Sequence, residues 1–268
     1  MQINRKRLIL SFLLNLIMMF LFISSIIIEI VNIYKNPNSI YINVWGIFRY
    51  FTIDGNIMSF IFTSIIAIKQ FLALKMSINE NIKSLIISQF LFKISLMSAC
   101  TDLVIFVVVV FIFIPMSINN VDFIINLVGT YHASCLHVTI PILLNLRFIF
   151  LDVRERDFKF YEKFYGGIPM TIYGVIMYIL CASKVFLSFS KEIKDGDGKI
   201  PYPFFDIYHE SWYFCTFIGL FIFLFGFGIG ILLDFLNKKF GNKIFPYDIN
   251  SEIDKDENDI NTGIMESE

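Results

Sequence analysis

Residues 85–116 read LIISQFLFKISLMSACTDLVIFVVVVFIFIPM, and in those 32 positions only Lys93 and Asp102 carry a charge. A helix rises 1.5 Å per residue, so about 20 apolar residues cross the hydrocarbon of a bilayer. This stretch is longer than that and is expected to tilt or overhang. Inside lipid its backbone groups have no water to bond, which leaves a helix as the form that satisfies them all internally.

Working outward, residues 8–34, 45–68, 123–151, 164–189 and 212–236 meet the same length and polarity test. Nothing between them is long and apolar enough to build a water-soluble core. The composition agrees: 56% of the 268 residues are hydrophobic and 17% charged, against about 25% charged in ordinary soluble domains. The reading is an all-α integral membrane bundle of six transmembrane helices. Residues 1–246 form it, and residues 247–268, with Asp248, Asp254, Asp256 and Glu257 among their acids, are expected to be a disordered acidic tail. A net charge of −1 gives no electrostatic footprint for nucleic acid.

Arg5, Lys6 and Arg7 precede the first apolar run as in a signal peptide, but that run is too long for one and no small-residue cleavage site follows. It reads as a retained anchor. Basic residues then alternate between loops. Lys69, Lys75, Lys83, then Arg154, Arg156, Lys159, Lys163, then Lys238, Lys239, Lys243 join the first three on one side. That asymmetry predicts both termini in the cytoplasm, with the protein multi-pass in the cell membrane. The loop at 195–198 reads as a turn, and the strip at 200–204 as a proline-stiffened segment at the opposite face. Cys100, Cys135, Cys181 and Cys215 fall inside predicted helices without metal-ligand spacing, and are expected as free, apolar thiols.

Polar residues are costly in hydrocarbon, so their angular spacing shows which faces turn inward. Arg49, Thr52, Asn56, Ser59 and Thr63 follow each other at three and four on the second helix. Ser88, Ser95, Ser98 and Asp102, at spacings of seven, three and four, make the same kind of stripe on the third, and Asn126, Thr130, Ala133, His137 and Pro141, at three and four, on the fourth. Small and hydroxyl residues also serve plain helix contact, as do Gly219, Gly226 and Gly230 on the sixth helix. Ionisable groups in the membrane ask for a cavity or partner, which makes Arg49, Asp102 and His137 the candidates. Lys93 and Asp102, nine residues apart, lie on opposite faces and do not pair. His132 is about 140° round the helix from His137 and does not share its pocket. Asp54 is assigned to a neighbouring interface, and His209 to a loop.

At this point the residues resemble a family. Phe48-Arg49-Tyr50-Phe51-Thr52-Ile53-Asp54-Gly55-Asn56 is similar to the aromatic-Phe-Thr-x-x-Ser-Asn motif of the bacterial six-transmembrane Pr-six-Pr proteins, with Gly55 in place of the usual serine. The run from His137 to Pro141 resembles their His-x-x-x-Pro element, and Pro201-Tyr202-Pro203-Phe204-Phe205-Asp206 their Tyr-Pro-Tyr-Pro-Phe-Leu-Asp element. That family is distantly similar to the eukaryotic androgen-induced-gene and androgen-dependent TFPI-regulating proteins, membrane hydrolases of fatty acid esters of hydroxy fatty acids that use a threonine and a histidine. The resemblance implies Thr52 as nucleophile and His137 as base. A threonine hydroxyl needs such a base. Asn56, Asp102 and Arg49 complete the expected pocket, with Asn56 as an oxyanion donor and Asp102 orienting His137 or pairing with Arg49. Membrane lipids and a lipid-like ester are the expected partners, with no cofactor or metal. The competing expectation is a non-enzymatic carrier or lipid-binding protein using the same helices.

Overall fold

The computed structural model describes residues 5–35, 51–75, 88–116, 118, 121–154, 156–182 and 212–241. Among these residues the chain is helical, without a strand. The main helices are α1 (Arg5–Lys35), α2 (Phe51–Lys75), α3 (Gln89–Val108), α4 (Ile140–Phe150), α5 (Ile168–Ala182) and α6 (Trp212–Leu236). Among the described residues five stretches are long and apolar enough to cross a membrane: Arg5–Asn32, Thr52–Lys75, Gln89–Phe111, Tyr131–Phe150 and Gly219–Gly241. The remaining expected crossing, 164–189, is represented by α5, and its end lies outside the described residues. So do Arg49, His209, the strip at 200–206 and the acidic segment 247–268.

Helix α3 is the centre. It packs against α2, α4, α6 and the 3-10 turn Phe160–Gly167, and 61% of its most apolar window is buried, against 28–50% for the other spans. Leu96, Ala99 and Cys100 on it are fully buried, and Phe92 stacks on Phe148 of α4 at 5.1 Å. Large apolar side chains instead face outward elsewhere, among them Phe20, Ile68, Phe111 and Phe217. That distribution suits a lipid solvent. Because lipid is as apolar as the helices, burial itself drives little association, and close packing and polar contacts must hold the bundle.

The glycines of α6 supply close packing. A Cβ on Gly230 would stand 2.8 Å from the carbonyl oxygen of Lys163, and one on Gly166 would meet Gly226 O at 3.1 Å. So Gly226 and Gly230 let α6 lie directly on the 160–167 turn, as their four-residue spacing predicts. Gly219 meets nothing within 4 Å and takes no part. Cys100 and Cys135 are buried free thiols.

Three expectations about helix bounds are corrected. Helix α2 runs to Lys75, beyond the expected end at residue 68, because Gln70 is satisfied inside the bundle. Ser88 is extended and precedes α3 rather than belonging to its stripe. The stretch 123–151 is not one regular helix. A π-helical turn, Ile125–Gly129, ends at extended Thr130, and a second π turn, Cys135–Thr139, leads into α4. Pro141 explains the second: it lacks an N–H for the carbonyl four residues back, on His137, and its ring crowds that oxygen. The π turn Val109–Phe113 likewise precedes Pro115. Wide turns before prolines are a common way for helices to absorb this conflict.

Candidate functional site

Two polar regions lie inside the bundle. The first sits where α1 begins and α2 and α4 end, and the expected stripes did not include most of it. Arg147, fully buried on α4, donates to Asn15 Oδ1 at 2.6 Å, to Ser95 Oγ, and to Asp152 Oδ2 at 3.2 Å. Asn15 donates to Gln70 Oε1 at 2.8 Å, and Gln70 donates to Ser11 Oγ at 2.8 Å. One continuous set of bonds thus ties α1, α2, α3 and α4.

The last carbonyls of α4 have no partners within their helix. Asn237 meets part of that need, donating to Phe148 O at 2.7 Å, and also to Asp152 O at 3.0 Å just past the helix. Arg7 donates to the carbonyls that follow the helix, Leu151 O at 2.9 Å and Asp152 O at 3.0 Å. Arg154 joins Asp234 at 3.2 Å and Asn237 Oδ1 at 2.6 Å, while Lys163 reaches Asp234 at 3.0 Å. Glu162, 1% exposed, receives two bonds of 2.7 Å from Arg156 and one ion pair of 2.9 Å from Lys93. Arg156 first, then the Lys159 N–H and Lys93, hold its carboxyl far below the ordinary range against the opposing cost of burial. Lys93 therefore turns away from Asp102, as the nine-residue spacing predicts. The sequence carried a signal for this region: Arg7, Ser11 and Asn15 repeat at four on α1 and continue into buried Met18, Phe22 and Ser25.

The second region is the seam the stripes pointed to. Asn56, Ser59 and Thr63 of α2 are buried, as are Ser95, Ser98 and Asp102 of α3. Asn56 Nδ2 donates to Thr52 O at 2.7 Å and to Leu136 O at 3.1 Å. It therefore holds the turn of Thr52 beside the π turn that carries His137. Thr52 and His137 are each partly exposed, whereas Asn56 between those turns is only 1% exposed. Among the described residues Thr52 Oγ1 and His137 are not hydrogen-bonded to each other, and His137 Nδ1 is buried without a partner.

Asp102, fully buried, accepts a bond of 3.1 Å from Ser59 Oγ on Oδ1, and its Oδ2 has no partner. Among the described residues it makes no hydrogen bond or ion pair with His137, so the expected orienting role is not what this arrangement provides; Arg49, the other expected partner, lies outside the described residues. Asn56 Nδ2 is already committed to main-chain carbonyls, which makes Asn56 a positioning residue here rather than an oxyanion donor. His132 goes its own way, as its angle predicts, with Nε2 2.8 Å from Glu29. A cavity beside the seam, bounded by Met18, Phe22, Asn56, Ser59 and Ile140, has a volume of about 10 Å³, roughly one water. An acyl chain does not fit there. Comparison with protein-family models, with curated proteins and with solved structures finds no match for the chain.

Proposed function

We propose that this multi-pass membrane protein, oriented with both termini in the cytoplasm, hydrolyses long-chain lipid esters with Thr52 as nucleophile and His137 as base. The observation that carries the reading is the Asn56 bridge from Thr52 O to Leu136 O, which sets the two turns side by side. His137 has a ring nitrogen free to take a proton. The resemblance of the two motifs to Pr-six-Pr proteins supports the same pair of residues.

In the reaction Thr52 Oγ1 attacks the ester carbonyl while His137 accepts its proton. The alcohol leaves with that proton, and water, deprotonated by His137, releases the acid from the acyl-threonine. The missing Thr52–His137 hydrogen bond would form as substrate enters, a tightening that unliganded sites commonly need. Partial exposure of both side chains fits entry from the lipid side rather than through the narrow interior cavity.

The test is labelling of purified protein by a long-chain fluorophosphonate, with mapping of the modified residue. Label on Thr52, lost in Thr52→Ala and in His137→Ala but retained in part by Thr52→Ser, is the expected result. Hydrolysis of a fluorogenic long-chain ester should follow the same order, with the double variant little worse than either single one. Unchanged turnover in Thr52→Ala would end the nucleophile assignment. Lipid binding without any turnover in the wild type would favour the carrier reading.

A further inference from the structure

A cleft at the end of the bundle where α1 and α3 begin takes no part in the hydrolase reading. It has a volume of about 40 Å³, and its lining includes Arg7 and Ser11 of α1, Lys69 and Gln70 of α2, Leu91 of α3, and Asp152 just past α4. A space of that size holds a group of a few heavy atoms, against roughly one water in the cavity beside Asn56. Thr52 and Lys69 stand about 25 Å apart along α2. The cleft is therefore a separate place, at the other end of the same helix.

Its donors suit an anion. Arg7 is 2% exposed, and the carbonyls of Leu151 and Asp152 fix its guanidinium. Lys69 is half-buried and has no carboxylate partner among the described residues. Gln70 gives one N–H to Ser11 Oγ, so Gln70 keeps a second N–H and Ser11 its O–H. Asp152 is the acid on the lining. Arg147, at 3.2 Å, and Ser95 already bind its Oδ2, and no ion pair joins it to Lys69.

The position of the cleft selects a lipid over a free ion. The spans that begin at Arg5 and Gln89 meet here with those that end at Lys75 and Phe150. The cleft thus lies where hydrocarbon gives way to headgroups. Ile68 and Leu72 of α2 and Phe90 of α3 are exposed close by in the chain, and they offer acyl chains an apolar surface. Basic pockets between membrane helices at such a level suit acidic headgroups.

We infer that the Arg7–Lys69 cleft binds the phosphate of an anionic phospholipid, with Lys69 as the principal contact and Ser11 and Gln70 as further donors. The chains of that lipid lie along the outer faces of α2 and α3. A bound headgroup joins the ends of α1, α2 and α3 from the lipid side, as Arg147 and its partners do from within.

The experiment titrates dioleoyl-phosphatidylglycerol into the full chain in maltoside micelles and counts retained lipid by native mass spectrometry. Wild type should retain it in preference to phosphatidylcholine with the same chains. Losing one charge-assisted contact in Lys69→Gln should weaken retention about tenfold, and Lys69→Arg should restore it. Lys75→Gln, at the exposed end of α2, should stay within about twofold of wild type in about 0.15 M salt, where exposed charges are screened. Equal losses in Lys69→Gln and Lys75→Gln would mean diffuse attraction to a basic surface and overturn the proposal. So would unchanged retention in Lys69→Gln. Should Lys69→Gln fold poorly, the unfolding midpoint of wild type decides. It should rise with phosphatidylglycerol more than with phosphatidylcholine, and should not rise with inorganic phosphate at matched ionic strength. An equal rise with inorganic phosphate would make the cleft a free-anion site and overturn the lipid assignment.

Discussion

The end of the bundle around Arg147 and the seam around Asp102 are built from similar residues and treat them differently. At the Arg147 end most polar groups are matched, although Arg147 Nε and Asn145 Oδ1 are buried without a partner. Asn237 takes up a carbonyl of the last turn of α4, Arg7 those just past it, Glu162 is held by two cations, and Asp234 is paired with Arg154 and Lys163. At the seam, Asn56 Oδ1, Ser98 Oγ, Asp102 Oδ2 and His137 Nδ1 are buried without partners. Buried groups left unmatched are rare in folded proteins and call for a reason. The difference teaches that one region ties the helices together through cross-helix bonds, while the other packs them with several polar atoms left unmatched.

That contrast breaks first at Arg147. Replacing it with Ala should leave Asp152 buried and uncompensated, at a cost of about 3–5 kcal/mol. Thermal unfolding in detergent should then show the lowest midpoint of any single variant here. A midpoint within a degree of wild type would mean the network is not what binds α1 to α4. Gly230→Ala comes next, since its Cβ would press on the carbonyl of Lys163. Overpacking of this kind costs about 1–3 kcal/mol, and the same unfolding assay should detect it, whereas Gly219→Ala should be silent.

Acid should act on the matched end through Glu162. Its folded carboxyl titrates below its unfolded one, so its stabilising contribution is complete above the ordinary carboxylate range. It drains away as pH falls through that range toward the folded value. Unfolding midpoints should therefore fall below about pH 4.5, and Glu162→Gln should flatten that part of the profile. A profile that is the same with and without Glu162 would count against this role.

The smallest stability effects belong to the seam. Asn56→Ala removes bonds to two carbonyls and should cost about 1 kcal/mol. Thr52→Ala should stay within about 0.5 kcal/mol, as for a substitution outside a packed core. If Thr52→Ala abolishes ester hydrolysis while leaving the melting curve alone, the two regions separate cleanly into holding and acting parts. A large loss of stability in Thr52→Ala would remove that separation.

Much of this organisation was legible in the chain. The apolar runs at 8–34, 85–116 and 212–236 have only one way to satisfy their backbones in lipid, and the first and last match α1 and α6 closely. The inward faces of α2 and α3 followed from spacing, because a helix repeats every 3.6 residues whatever packs against it. The run at 123–151 was misjudged as one regular helix because spacing alone does not register the strain that Pro141 places on the turn before it. Arg7 shows a different limit. Its position beside Arg5 and Lys6 reads as an orienting charge, but it is 2% exposed and binds the end of α4. Helix identity and facing are properties of neighbours in the chain, and sequence alone determined them. Which polar groups find partners is a property of residues that meet from far apart, such as Arg7 with Leu151 or Asn56 with Leu136. Only the tertiary structure decided that Arg147 would meet Asn15, Ser95 and Asp152 while Asp102 Oδ2 meets no partner, because each hydrogen bond depends on helices packing within a few ångströms of one another.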